Sequence, residues 1–158
     1  NPMYQAWHID ALLVATSGAV IDHGRIGDDL KDDSSRFEIQ EVPYDPWNAT
    51  MFATELGAEG LPMVELRQSV GNLSEPMKHL EALVLSGRFH HTGSPILTWM
   101  VSNVVAKEDH KGNIFPRKER EDAKIDGVMA LLNALARAML RTGSEPSSPY
   151  ETRGIRTL

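Results

Sequence analysis

Two aspartates stand where a carboxylate can be put to use. Asp45, in VPYDPWNAT (residues 42–50), falls at the seam between an apolar run and a predicted helix. Asp126, in AKIDGVMALLNALARAM (residues 123–139), falls at the opening of a long amphipathic helix. A carboxylate at the end of a buried strand is costly to desolvate unless something pairs with it. If the two acids meet in space, the natural third party is a hard divalent cation, Mg2+ or Mn2+, which prefers oxygen ligands. Metal-assisted phosphodiester hydrolysis commonly uses a pair of such ions and then needs at least three acids. Each aspartate also has a plainer use. Asp45 suits an N-cap, and Asp126 suits the first turn of a helix, where the dipole favours an acid. Asp122, one turn earlier, is an alternative ligand or simply a solvated charge.

Other chemistries find less support. The histidines are His8, His23, His79, His90, His91 and His110, and the pair His90–His91 has no partner at a zinc-ligand spacing. Neither a G-x-x-x-x-G-K-[ST] phosphate loop nor a G-x-S-x-G elbow occurs. The chain has no cysteine, which excludes disulfides and thiolate metal sites and fits a reducing compartment. No apolar run approaches the ~20 residues of a membrane span, so no membrane role is expected. Net charge is −6, weakly against a nucleic-acid partner, but its distribution is uneven. Residues 1–60 hold 11 acids and 3 Lys/Arg, and the rest hold 11 acids and 13 Lys/Arg. A polyanion would be steered to the second half, or to cations held by the first; a solvated mixed surface is the alternative. Arg67, Lys118 and Lys124 are candidate phosphate contacts or ordinary surface charges. Trp7, Trp47 and Trp99 read as core or interface residues.

The elements that must position these groups follow from periodicity and punctuation. Residues 3–14 have helical spacing, 16–18 form a turn, and 19–35 read as a second helix with Val20, Ile21, Ile26 and Leu30 inward. RFEIQEVPYD alternates as a strand ending near Asp45, with Phe37, Ile39 and Val42 on one face. Pro46 then opens a helix over 46–59 with Asp45 as its cap, Gly60 ends it, and LPMVELRQ (61–68) forms a second strand. Strand–helix–strand implies a parallel crossover. Ser74 is expected to cap a helix with Pro76 in its first turn and Gly87 as its stop. Residues 94–108 fit either a helix or a buried strand, and DHKGNIFPRK a turn with a short extended piece. EDAKIDGVMALLNALARAMLR is the clearest helix, with Val128, Leu131, Leu132, Leu135 and Met139 as its buried stripe. From Thr142 onward the Gly/Ser/Pro-rich sequence reads as a disordered tail.

The segments VPYDPWNATMFATELGAEGLPMVELRQS, NLSEPMKHLEALVLSGRFHHTGSPILTWMVSNV and KIDGVMALLNALARAM together resemble the C-terminal part of the large terminase subunit of tailed double-stranded DNA bacteriophages. The resemblance runs from about residue 4 to about residue 140 and rests on the ordered series Y-D-P-W, Q, L-S-x-P, N-V and K-I-D-G-x-x-A. It implies an α/β, RNase H-like nuclease core over residues 1–141, followed by the tail at 142–158. It implies a metal-dependent endonuclease that cuts concatemeric double-stranded DNA, with Mg2+ or Mn2+ in a two-ion site. Asp45 matches the family acid at the end of the central strand, and Asp126 the acid on the last helix. The family's first acid lies upstream of the segment matching Tyr4, and the packaging ATPase is absent, so a fragment lacking the early strands and weak or inactive alone is expected. Asp10 and Asp22 do not match that first position. Implied partners are DNA, the small terminase subunit and the portal, in the host bacterial cytoplasm and transiently at the procapsid. A non-enzymatic docking module of the motor, or another RNase H-like nuclease of resolvase or transposase type, are the alternatives.

Overall fold

The computed structural model describes residues 1–142; the predicted tail lies outside the described residues but for its first position. The elements are α1 (Pro2–Ile9), α2 (His23–Arg36), β1 (Val42–Tyr44), α3 (Thr50–Ala58), β2 (Met63–Glu65), α4 (Val70–Leu85), α5 (Pro95–Ser102), β3 (Val104–Glu108), β4 (Ile114–Lys118) and α6 (Asp126–Thr142). β1 and β2 pair in parallel across α3, Val42 opposite Met63 and Tyr44 opposite Glu65. This is the expected crossover. β3 and β4 form an antiparallel hairpin, Val104 opposite Lys118 and Glu108 opposite Ile114. Among the described residues these are two separate two-stranded sheets, and α4 and α6 pack between them.

The core forms where the α6 stripe meets α4. Leu73, Val128 and Leu132 are buried together, with Met77, Leu80, Leu97, Met100, Phe115 and Met129 closing around them. Leu131, Leu135 and Met139 are half-buried, as a stripe broader than a coiled-coil seam requires. Asn133 and Ala136 complete the buried face.

Several local expectations give way to tertiary contacts. Asp22 caps α2 by accepting from Arg25 N–H at 3.0 Å, so the helix starts at His23 and leaves Val20 and Ile21 exposed rather than inward. The buried residue of α2 is Gly27, because Leu56 of α3 lies against it, 3.3 Å from where a Cβ would stand. Phe37 closes α2, its N–H donating to Asp33 O at 2.8 Å. It is therefore exposed and not part of the strand. Residues 46–49 form a turn with Asn48 at φ 59, so α3 starts at Thr50 with no side-chain cap. Asp45 is not its N-cap. Likewise Ser69, not Ser74, caps α4 by accepting from Asn72 N–H at 3.3 Å. Ser74 is buried inside the helix, and its Oγ accepts from Ile114 N–H at 3.1 Å, which binds the hairpin to α4. Pro76 then sits within the helix, where it removes one backbone bond; it and Leu73 are buried there.

The ambiguous run at 94–108 is both things. Ser94 caps α5 through Leu97 N–H at 3.4 Å, and the chain turns at Asn103 into β3. Asp109 organises the hairpin turn, accepting from Lys111 N–H, Asn113 N–H and the Asn113 amide at 2.8–3.0 Å. Those donors, the Asn113 amide first, hold its carboxyl below the usual range. α1 ends at Ile9, earlier than its periodicity suggested, and docks through Tyr4 and Trp7 against Trp99 of α5, with ring centroids 5.5–6.0 Å apart. Trp47, expected in the core or an interface, is 82% exposed.

Candidate functional site

Asp45 lies just past β1 and ties the ends of the parallel pair together. Its Oδ1 accepts from Trp47 N–H at 2.9 Å and its Oδ2 from Gln68 N–H at 3.3 Å. The residue is half-buried. Each oxygen keeps a free lone pair after accepting one bond, enough to bind a cation as well.

Asp126 is the first residue of α6 and is exposed. The segment before it is pinned from several sides. Ala123 and Ile125 are buried, and Asn103 Nδ2 donates to Lys124 O at 3.0 Å. This extended anchor is why α6 starts at Asp126 and not at Glu121. Gly127 N–H points at Met100 Sδ, 3.1 Å away. A Cβ at 127 would stand only 2.9 Å from that sulfur, so glycine is what lets α6 approach α5 this closely.

The register of α6 against β1 is set at the other end. Arg137 forks onto Glu41, with Nε to Oε2 at 2.6 Å and Nη2 to Oε1 at 3.2 Å. Arg141 reaches Gln40 Oε1 at 2.7 Å. From Asp126 to Arg137 the helix rises about 16 Å, and from Glu41 to Asp45 an extended strand advances about 13 Å. Running in opposite directions over nearly equal lengths, the two elements bring their aspartates to one end once the ion pair holds the other. The Arg137 hydrogen bond, reinforced by its charge, keeps the Glu41 carboxyl below its ordinary value, and Glu41 raises Arg137 in return.

Asp45, Gln68, Asp126 and Met129 line both of two adjoining depressions. One, of about 510 Å3, continues along β4 past Phe115, Arg117 and Lys118. The other, of about 470 Å3, continues along Pro43, Tyr44, Ala130 and Asn133. The fold thus brings together Asp45, Asp126 and Lys118. It leaves Arg67 on the surface paired with Glu65 at 3.1 Å, and Lys124 exposed beside the lead-in to α6. Asp122 pairs with Arg120 at 3.5 Å, also on the surface. Among the described residues no three His, Asp or Glu side chains are grouped to hold an ion. The oxygen donors present are two carboxylates and neighbouring amide groups, a set suited to one hard cation with water completing its shell.

Sequence reasoning missed Gln68, Arg117 and Asn133. Arg117 adjoins Lys118 and could have been found with it; its guanidinium lies 5.3 Å from the Phe115 ring centroid. Asn133 falls two turns after Asp126 on one helix face, a spacing legible in the sequence. Gln68 stood in the sequence only as a member of the resembling series, with no site role attached to it.

The family described as the terminase large subunit, endonuclease domain, matches residues 3–142. Protein YmfN of Escherichia coli (strain K12) is 41% identical over 159 residues, covering 98% of this chain and 35% of that protein. The terminase large subunit of Enterobacteria phage HK97 is 30% identical over 137 residues, covering 85% of this chain and 27% of that protein. The chain therefore spans about a third or less of the length of these curated relatives. The crystal structure of the HK97 large terminase superposes with a TM-score of 0.77 at 29% identity, over 85% of this chain and 28% of that one. The large terminase nuclease from thermophilic phage G20c superposes with a TM-score of 0.60 at 22% identity, over 77% of this chain and 64% of that one, a likeness of fold. The α/β, RNase H-like fold expected from the sequence is the fold observed.

Proposed function

The chain belongs to the endonuclease-domain family of the terminase large subunit, and from that premise we propose that it is the cation-dependent DNA-cutting part of a phage packaging motor, active on concatemeric double-stranded DNA. The observation that carries this reading is the single cleft shared by Asp45, Asp126, Arg117 and Lys118. Asp45 and Asp126 would hold Mg2+ or Mn2+, and such an ion supplies Lewis-acid polarisation of the scissile phosphate. Lys118 and Arg117 face the same space, where their charges would neutralise phosphate oxygens and orient the backbone for in-line attack. The hydrogen bonds from Trp47 and Gln68 fix the Asp45 carboxylate, which lowers the cost of organising the site when substrate arrives.

Two carboxylates are few for a two-ion site. The third acid would come from the part of the subunit outside these 158 residues, as would the motor's ATPase and its contacts with the small subunit and portal. The setting is the host bacterial cytoplasm, at the procapsid during packaging. Supercoiled plasmid incubated with Mn2+ tests the reading, using this chain beside a longer polypeptide carrying the rest of the subunit. The longer chain should nick and linearise the plasmid, with cleavage reduced at least ~1,000-fold by Asp45→Asn or Asp126→Asn, and this chain alone should cut poorly. Cleavage indifferent to both substitutions would overturn the assignment. A longer chain that binds DNA but never cuts it would favour a docking role.

A further inference from the structure

The cations of this fold divide by place. Arg25, Lys31, Arg36 and Lys78, on the helices, each pair with an acid, and Arg88 donates to Ser86. Lys107, Lys111, Arg117, Lys118 and Lys124 are all exposed, and among the described residues none of them forms an ion pair. All fall in one stretch, the β3–β4 hairpin and the segment leading from it to α6. Acids are not lacking there. Asp109 is occupied by the amides of the turn, and Asp122 answers Arg120. A run of exposed, unanswered cations beside a cleft is the footprint of a polyanion.

The hairpin register decides which of these cations act together. Directly opposed residues of an antiparallel pair point the same way, and the direction reverses at each step. Arg117 stands opposite Val105 and Lys107 opposite Phe115, so these four side chains share one face; Glu108, opposite Ile114, projects from the other. The Arg117 guanidinium, 5.3 Å from the Phe115 ring centroid, agrees with that assignment. Glu119 continues the alternation on the side of Arg117 away from Lys107, its N–H donating to Asn103 O at 2.9 Å, and it pairs with neither cation. Lys107 and Arg117 are diagonal neighbours, about 7–8 Å apart. Arg117 lines the cleft that holds Asp45 and Asp126, and Lys107 lies outside it, so the positive face runs out of the cleft toward the hairpin turn. Duplex DNA is stiff over about 150 base pairs. A duplex seated in the cleft cannot bend away within so short a distance and must pass over this face. We propose that the Lys107–Arg117 face of the hairpin is the arm on which the duplex lies, with Lys107 a positioning residue that takes a backbone phosphate outside the cleft. The proposal rests on the reading of that cleft as a DNA-cutting site.

The test is binding of a fluorescein-labelled B-form duplex by the 158-residue chain, read by anisotropy in EDTA, where nothing is cut, over a series of salt concentrations. The logarithm of affinity should fall linearly with the logarithm of salt. Lys107→Gln should make that slope shallower by about 0.9, the share of one phosphate, and weaken binding roughly 5–10-fold near 0.1 M salt. The loss should be the same for duplexes of different sequence, because a phosphate contact reads no base. Lys107→Arg should restore both slope and affinity. Arg36→Gln removes the same charge at an exposed site away from the hairpin and should leave the slope unchanged. Lys107→Gln should melt at the wild-type temperature, as expected for an exposed, unpaired side chain. If Lys118→Gln makes the slope shallower and Lys107→Gln does not, this inference falls and the cleft reading stands. If Arg36→Gln acts as strongly as Lys107→Gln, only net charge is being read and the inference falls. If the wild type does not bind the duplex, the inference falls together with the reading it rests on.

Discussion

Replacing Gly127 with alanine tests whether the α5–α6 junction sets the position of Asp126. The new Cβ would stand 2.9 Å from Met100 Sδ and 3.5 Å from Leu97 Cδ1, whereas comfortable contact begins near ~3.5–4.0 Å. Either the Met100 side chain withdraws or the first turn of α6 moves by roughly 0.5–1 Å. Two energies oppose one another. Alanine gains up to about 1 kcal/mol over glycine in a helix, and overpacking costs about 1–3 kcal/mol. Methionine adapts readily, which holds the cost toward the lower end. The net destabilisation should be about 0–2 kcal/mol, a fall in melting temperature of no more than about 8 °C. Cation binding should suffer more, because ligand distances tolerate only about 0.2 Å; Mn2+ affinity should drop about tenfold or more. Adding Met100→Ala makes room and should recover most of that affinity, although it removes packing. Scanning calorimetry and Mn2+ titration on the single and double variants separate the two effects. If Gly127→Ala binds Mn2+ as wild type does, or if Met100→Ala recovers nothing, the close approach does not govern the site.

Two further outcomes follow from the hydrogen bonds that hold the frame. Glu41 has its carboxyl held below the ordinary 4.5 by Arg137, so its contribution is present above that value and is lost as pH falls through the lower, folded one. Wild type should exceed Glu41→Gln in melting temperature at pH 7, with the gap narrowing as pH falls below 4.5; a gap unchanged at pH 3 would refute the linkage. Asp109 is also held low, but it is common to both chains and cancels. Ser74→Ala leaves Ile114 N–H without its acceptor and should cost about 1–3 kcal/mol in urea denaturation, while a loss below ~0.5 kcal/mol would show that water replaces the hydroxyl.

What the sequence determined by itself is what periodicity and short-range chemistry encode. The parallel crossover between Val42 and Glu65 was legible because alternation, a turn and a second apolar run follow one another in order. The buried face of α6 was legible because its stripe repeats at helical spacing. The two aspartates were found because each marks an element boundary. Their joining was not encoded locally. It depends on Arg137 meeting Glu41, 96 positions away, on Asn103 holding the chain before Asp126, and on Gly127 admitting Met100. Ser74 shows the same limit: its local pattern reads as a helix cap, yet burial against β4 gives its hydroxyl to Ile114 and leaves capping to Ser69. A side chain's neighbours in sequence define the bonds open to it, and only packing decides which of them is worth most once water is excluded. The meeting of Asp45 and Asp126 in one cleft is of that second kind.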